Sequence, residues 1–224
     1  SAGTGASFTA SAGSHSYAVR QSDAAGNVSA ASTPVTFDHD GVAPTVTSVA
    51  ITGASDAQND TLNAGDVVTV TVDMSEAVNV SGTPELALDI GGTTVQAAYA
   101  SGSGTAQLTF TYTVQAGQTD SNGIGVPQDG LSLAGGSIED AAGNSADLAH
   151  AAVAGNTDYK VDTTAPDAPS LSLASDNGSS GSDGLSNVAT IDVGGLEPGA
   201  SWQYQVDGGS WSAGTGASFT ASAG

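Results

Sequence analysis

Leu108-Thr-Phe110-Thr-Tyr112-Thr-Val114 sets four large apolar side chains on one face of an extended segment and three threonines on the other. Successive side chains of a strand point to opposite faces, so this alternation reads as a half-buried β-strand. Val68, Val70 and Val72 around Thr69 and Thr71 read the same way, as does Leu86-Ala-Leu88-Asp-Ile90. Val95-Gln-Ala97-Ala-Tyr99 and Trp202-Gln-Tyr204-Gln-Val206 repeat the pattern. These segments are rich in β-branched and aromatic residues and are bounded by Gly, Asn and Asp clusters, as antiparallel strands and their turns are. No window carries the apolar period of about 3.6 residues that a helix needs, so almost no helix is expected. The fold class is therefore all-β, and short strands at this spacing predict β-sandwiches.

Two stretches break the strand pattern. Asp38-His-Asp40-Gly-Val-Ala43-Pro44 follows the strand end Val35-Thr-Phe37, and Asp162-Thr-Thr-Ala165-Pro166 follows Tyr159-Lys-Val161. Both finish on Ala-Pro before a new strand. Proline fixes its own φ and restricts the residue before it, which makes these short, stiff linkers. They mark out a complete sandwich over 39–162, flanked by partial ones over 1–38 and 163–224.

Those flanks are related. Ser1–Gly13 (SAGTGASFTASAG) returns letter for letter as Ser212–Gly224. Chance does not produce such a match, so the chain reads as one 211-residue period of a tandem array with a short overlap. In that frame 163–224 supplies the first strands of a second sandwich, and 1–38 supplies the last strands of the same module, borrowed from the adjoining repeat. An intact sandwich on the order of 30 Å long, judged from strand rise, separates the two halves. They are expected to be completed head-to-tail by the adjoining repeat or by a neighbouring molecule, not within one chain.

Composition excludes several classes of partner. The 23 acidic residues face only Arg20 and Lys160, for a net charge of −21. Nucleic acid requires a basic footprint, and an anionic membrane surface repels such a chain. The absence of cysteine removes disulfides, thiolate zinc sites and cysteine nucleophiles. With only 38% apolar residues a small core needs another staple. Asp, Asn and backbone carbonyls are the hard oxygen ligands that calcium (Ca2+) takes, but acidity alone does not establish a metal, because halophile surfaces are acidic too.

The motif Asp-Ala-Ala-Gly-Asn occurs at Asp23–Asn27 and at Asp140–Asn144, each time near the end of a module. With Val161-Asp162-Thr-Thr-Ala-Pro166 and Asp183-Gly-Leu-Ser-Asn187, it resembles the bacterial immunoglobulin-like repeats of giant type I-secreted adhesins. These are the long repeats-in-toxin (RTX) adhesins and biofilm-associated proteins of Gram-negative bacteria. The resemblance covers essentially the whole chain. It implies tandem Ig-like sandwiches at the bacterial cell surface, acting as extenders that hold a distal binding domain away from the cell, with calcium stiffening the domain junctions. The nonapeptide calcium repeat of the RTX class does not occur in this chain.

In an Ig-like sandwich the B–C and F–G loops lie at the end where the chain enters. Asp140–Asn144 then reads as an F–G loop and Asp73-Met-Ser-Glu76 as a B–C turn. A junction calcium site is expected from Asp38, Asp40, Glu76 and Asp140, with Asp73 beside them and Asn144 as auxiliary ligand or turn residue. The equivalent site of the split module would use Asp162 and Glu197 with Asp23 and Asn27 of the next repeat. Converging carboxylates without Lys or Arg repel one another unless a cation lies between them. The competing reading makes DAAGN a turn, because Asp and Asn cap turns and Gly takes positive φ. A second acidic group reads first as turn residues and only then as calcium ligands: Asp56, Asp60, Asp66 and Asp120, with Asp176 and Asp183 in the split module.

The other signals carry little chemistry. His15, His39 and His150 are scattered; only His39 sits beside carboxylates, and as a linker histidine it reads as solvated. No nucleophile elbow, metal-binding His pair or phosphate loop occurs. Paired carboxylates on small sandwiches lack the apolar cleft that a glycosidase needs, so the chain is read as non-enzymatic. Trp202 reads as core, while Trp211 is either core or a sugar-stacking platform. A glycan- or ligand-binding module is therefore the alternative to an extender.

Overall fold

The computed structural model describes residues 7–221, which divide into two compact units with the boundary between Thr164 and Ala165. In the first unit, β1 (Gly13–Tyr17) and β2 (Val35–His39) pair antiparallel as a sheet of their own. Backbone bonds from Ser32 to Val19 and from Ser29 to Gln21 carry this hairpin out to a tip at Asp23–Asn27. Asp40–Thr45 then leads into the sandwich.

The sandwich is built from β3 (Val46–Ala54), β4 (Thr61–Leu62), β5 (Val67–Ser81), β6 (Glu85–Ile90), β7 (Thr93–Ser101), β8 (Thr105–Thr113), β9 (Thr119–Asp120), β10 (Leu131–Ser132), β11 (Ser137–Glu139) and β12 (Lys160–Asp162). A 7-stranded antiparallel sheet runs β10-β6-β7-β8-β5-β11, with β3 also paired to β5. A three-stranded sheet has β12 in its centre, parallel to β4 and antiparallel to β9. The alternating residues meet between these layers. Val68, Val70, Val72, Leu86, Leu88, Leu108 and Phe110 are fully buried from the large sheet, against Leu62, Ile124 and Val161 from the opposite side. Their threonine neighbours take the opposite face of the sheet, as the period-two pattern requires, where Thr71 is buried beside Thr52 with their hydroxyls 2.9 Å apart. Tyr112 is only half-buried at the rim of this core.

Gly91-Gly92 joins β6 to β7 with positive φ at both positions, the two-residue hairpin turn whose twist matches the strands. The first of these glycines has a second reason to be there, because a Cβ at Gly91 would collide with the Thr119 carbonyl oxygen.

The second unit contains β13 (Ser170–Leu173), β14 (Thr190–Gly194), β15 (Gln203–Tyr204), β16 (Ser212–Ala213) and β17 (Ser218–Thr220). It has a three-stranded sheet β13-β14-β17 and a two-stranded sheet β15-β16. Aromatic side chains join them: Tyr204 stacks on Phe219 with ring centroids 4.3 Å apart, and Trp202 lies 6.0 Å from Phe219.

Two expectations need correcting. The strand expected to reach Val206 stops at Tyr204, and Val206 is exposed, because Asp207 and Gly208 take positive φ and turn the chain. Asp73-Met-Ser-Glu76 is no turn. It lies inside β5, which passes through it with a bulge between Asp73 and Val78 in its pairing with β8. Among the described residues there is no α-helix, only the 3-10 turn Thr157–Tyr159, so no helix is long and apolar enough to cross a membrane.

Candidate metal centre

The entry linker is stitched to the sandwich, and the stitching is what brings the carboxylates together. Thr45 donates its N–H to Ser75 Oγ at 3.0 Å, and Ser75 returns a backbone bond to the Thr45 carbonyl at 2.8 Å. The Pro44 carbonyl accepts from Asp147 N–H at 2.8 Å. These bonds hold Asp40 beside Glu76, the neighbour of Ser75, and beside the loop that follows β11.

That loop is the second DAAGN motif. Asp140 N–H donates to the Asn144 carbonyl at 3.1 Å, and Gly143 takes φ +89 to close the ring. Asp140 Oδ1 accepts from the N–H groups of Ala142 and Asn144, both at 2.8 Å, and Oδ2 accepts from Asn144 Nδ2 at 2.7 Å. Asn144 Nδ2 also donates to the Asp40 carbonyl at 3.3 Å, tying loop to linker. The amide of Asn144 beside Asp140 holds this carboxyl below its ordinary value, with backbone N–H groups helping and burial opposing. Asp140 is therefore an anion at neutral pH although its side chain is almost out of reach of water.

Asp40, Glu76 and Asp140 each place one carboxylate oxygen within 4.8 Å of the others. Neither Arg20 nor Lys160 belongs to this group. Calcium takes its oxygens at roughly 2.3–2.6 Å, so two ligands on opposite sides of one ion are about 5 Å apart. Three oxygens this close fit one calcium shell, with the remaining positions left to carbonyls and water. Asp40 is exposed, Glu76 half-buried and Asp140 buried, a gradient that opens the group to solvent on the linker side.

Of the expected junction ligands, Asp38 lies on β2 opposite Ser14 and Asp73 on β5, and neither joins the group. Asp73 Oδ2 accepts from Ser48 Oγ at 2.7 Å and Oδ1 from Gln107 Nε2 at 2.9 Å, partners on β3 and β8. Those bonds, Ser48 first, hold its carboxyl below the ordinary 3.8. A depressed native value contributes stability above 3.8 that is lost as the pH falls below it. The gap in unfolding free energy between wild type and Asp73→Asn is accordingly expected to be full at neutral pH and to close in acid below 3.8. Urea titrations across the acid range check this, and a gap independent of pH would contradict it.

The first DAAGN copy has the same internal geometry as the second. Asp23 Oδ1 accepts from Ala25 and Asn27 N–H at 2.9 and 2.8 Å, and Oδ2 from Asn27 Nδ2 at 2.8 Å. Here too the asparagine amide holds the aspartate below its ordinary value. Asp162 ends β12 and accepts from Thr164 N–H at 2.9 Å, as Asp40 accepts from Val42 N–H at 3.0 Å. Glu197 is exposed in the second unit. The described residues contain one convergent acidic group, and these three are not in it.

The second acidic group is spread over turns. Asp56 and Asp60 sit at positive φ in the loop after β3. Asp66 accepts from Asn63 N–H at 2.9 Å. Asp120, buried, accepts from the N–H groups of Gly91, Asn122 and Gly123 at 2.8, 3.1 and 2.9 Å. Asp176 Oδ2 accepts from Gly184 N–H, while its buried Oδ1 has no partner, and Asp183 caps Leu185 N–H.

Two features escape the sequence reading. Ser75 positions the linker, and His150 is buried. His150 Nε2 accepts from Leu131 N–H at 3.2 Å, which leaves the proton on Nδ1 to bond the Ala151 carbonyl at 2.9 Å. Comparison with known proteins finds no family model that matches this chain and no curated protein that matches it.

Proposed function

We propose that this chain is a structural extender, a tandem array of Ig-like β-sandwiches whose junctions are stiffened by calcium, exported to the bacterial cell surface to project a distal binding domain. The observation that carries this reading is the Asp40–Glu76–Asp140 group, placed where the incoming linker meets the sandwich. One carboxylate rides on the linker and two belong to the domain. An ion held among them removes the swing of the linker, whereas without it their mutual repulsion favours a bent or detached linker. The near-absence of basic residues supports the same reading, since no side chain replaces the ion.

Calorimetric titration with calcium tests it. Saturable binding to the wild type is expected, strongly weakened in Glu76→Gln. Glu76 makes no side-chain hydrogen bond among the described residues, so this substitution leaves the fold untouched. Heats indistinguishable from buffer would sink the metal and leave DAAGN as turn chemistry. The ligand-binding alternative has one observation in its favour, the exposed Trp211 beside a groove shared with Trp202 and Pro166. Binding to a glycan array that Trp211→Ala abolishes would promote that reading over the extender.

A further inference from the structure

Asparagine precedes glycine twice in the chain, at Asn122-Gly123 and at Asn177-Gly178. This pair is chemically labile. The backbone nitrogen of the second residue can attack the side-chain carbonyl carbon of the first, and glycine, without a Cβ, obstructs that approach least. A buried hydrogen bond on the N–H opposes the attack, because the nitrogen must leave its acceptor to reach the carbon.

The fold treats the two pairs differently. Gly123 is buried and its N–H donates to Asp120 Oδ1 at 2.9 Å, with Asn122 N–H on the same oxygen at 3.1 Å. A Cβ at Gly123 would collide with the Asn156 carbonyl oxygen, so this backbone is also wedged in place. Asn177 and Gly178 are both exposed, and Gly178 N–H has no acceptor among the described residues. The Asn177 amide is held from the other side. Its Nδ2 donates to Asn187 Oδ1 at 2.7 Å, and its Oδ1 accepts from Asn187 N–H at 3.1 Å. An N–H aimed at a carbonyl oxygen stabilises the negative charge that nucleophilic attack puts there. All these partners lie within one loop, which closes on itself locally. Asp176 Oδ2 accepts from Gly184 N–H at 3.1 Å, and Ser186 Oγ donates to the Ser175 carbonyl at 2.6 Å.

We propose that Asn177 is a self-modification site, where the Gly178 nitrogen closes on Asn177 Cγ to form a succinimide, and that Asp120 guards Asn122 against the same reaction. The bond formed is N–Cγ and the bond broken is Cγ–Nδ2. Nδ2 leaves as ammonia, taking up the proton that the Gly178 nitrogen gives up. Water then adds to one of the two ring carbonyls and opens the ring, giving aspartate or isoaspartate at position 177. Solvent water is the only co-reactant. Either product replaces the Nδ2 donor with a carboxylate oxygen facing Asn187 Oδ1, so the 2.7 Å bond is lost and two acceptors confront each other. Isoaspartate also lengthens the main chain next to Gly178, where an added Cβ would already come within 2.6 Å of the Leu185 carbonyl oxygen. The loop is thereby opened once and irreversibly, with a further negative charge on a chain of net charge −21.

Incubation of the full chain at mildly alkaline pH, folded and in urea, tests the proposal. Peptide mass spectrometry reads the loss of ammonia at each site, and labelling by an isoaspartate-specific methyltransferase reads the product. Folding is expected to slow Asn122 by roughly tenfold or more, the factor that one buried hydrogen bond imposes, and to leave Asn177 at least as fast as in urea. Asp120→Ala, checked for its fold by circular dichroism, is expected to speed Asn122 and leave Asn177 unchanged. Folding that slows both sites alike overturns the proposal, and so does folding that slows Asn177 alone. An Asn122 that stays slow in folded Asp120→Ala overturns it as well.

Discussion

Melting in millimolar calcium is expected to raise the transition of the 39–162 sandwich by roughly 10 °C over the same melt in EDTA. The estimate starts from linkage: an ion that binds only the folded form at a hundredfold excess over its dissociation constant stabilises by about 2.7 kcal/mol. A domain of this size converts each kcal/mol into roughly 4 °C. The unfolded chain gives the ion no comparable site, because Asp40, Glu76 and Asp140 converge only when the Thr45–Ser75 and Pro44–Asp147 bonds are made. Glu76→Gln is expected to erase most of the shift while leaving the EDTA curve in place or slightly higher, since one repelling charge is gone. Superimposable wild-type curves in calcium and EDTA would remove the metal from the proposal.

Asp120→Ala is expected to cost about 3 kcal/mol or more, with no change in the calcium shift. One carboxylate here satisfies three backbone donors, those of Gly91, Asn122 and Gly123, at a position only 3% exposed. Removing it leaves the buried N–H of Gly123 and the part-buried N–H groups of Gly91 and Asn122 without that partner, at about 1–3 kcal/mol for each that water fails to reach. The loss also unpins the Gly91-Gly92 turn from β9, so the β6–β7 hairpin loses its anchor to the three-stranded sheet. Urea unfolding with an unchanged slope reads the cost directly. A drop below about 1 kcal/mol would mean that water enters the loop and replaces the carboxylate. A reduced calcium shift would instead make Asp120 a ligand.

Much of this architecture is legible where the signal is local. The alternation at Leu108–Val114 and Val68–Val72 gives strands β8 and β5 and the buried side of each. The Asp-Ala-Ala-Gly-Asn loops announce themselves because both ends of the ring lie within five residues. The misreadings come from distance or from competition. Met74-Ser75-Glu76 breaks the period of β5, and a break reads as a turn, but pairing with β3 and β8 on both sides carries the strand through as a bulge. Asp73 looks like its acidic neighbours until Ser48 and Gln107 claim its oxygens, partners 25 and 34 residues away. The bond from Asn144 to the Asp40 carbonyl spans 104 residues, and nothing in either local sequence marks it. His150 is hidden for the same reason, since its donor Leu131 lies on a separate strand.

The placing of β12 decides how the sandwich behaves under tension. It is the last strand of the first unit, ending at Asp162, and it lies between two neighbours, β4 and β9. Its hydrogen bonds to β9 run at right angles to a pull along it, and those to its parallel neighbour β4 cross it at a slant. A load on the exit must therefore strain the bonds of Lys160, Val161 and Asp162 together, in shear, instead of peeling them off in turn. In the proposed extender, an end anchored this way is expected to resist a pull up to a threshold and then yield abruptly, so that an array of such units would fail one link at a time.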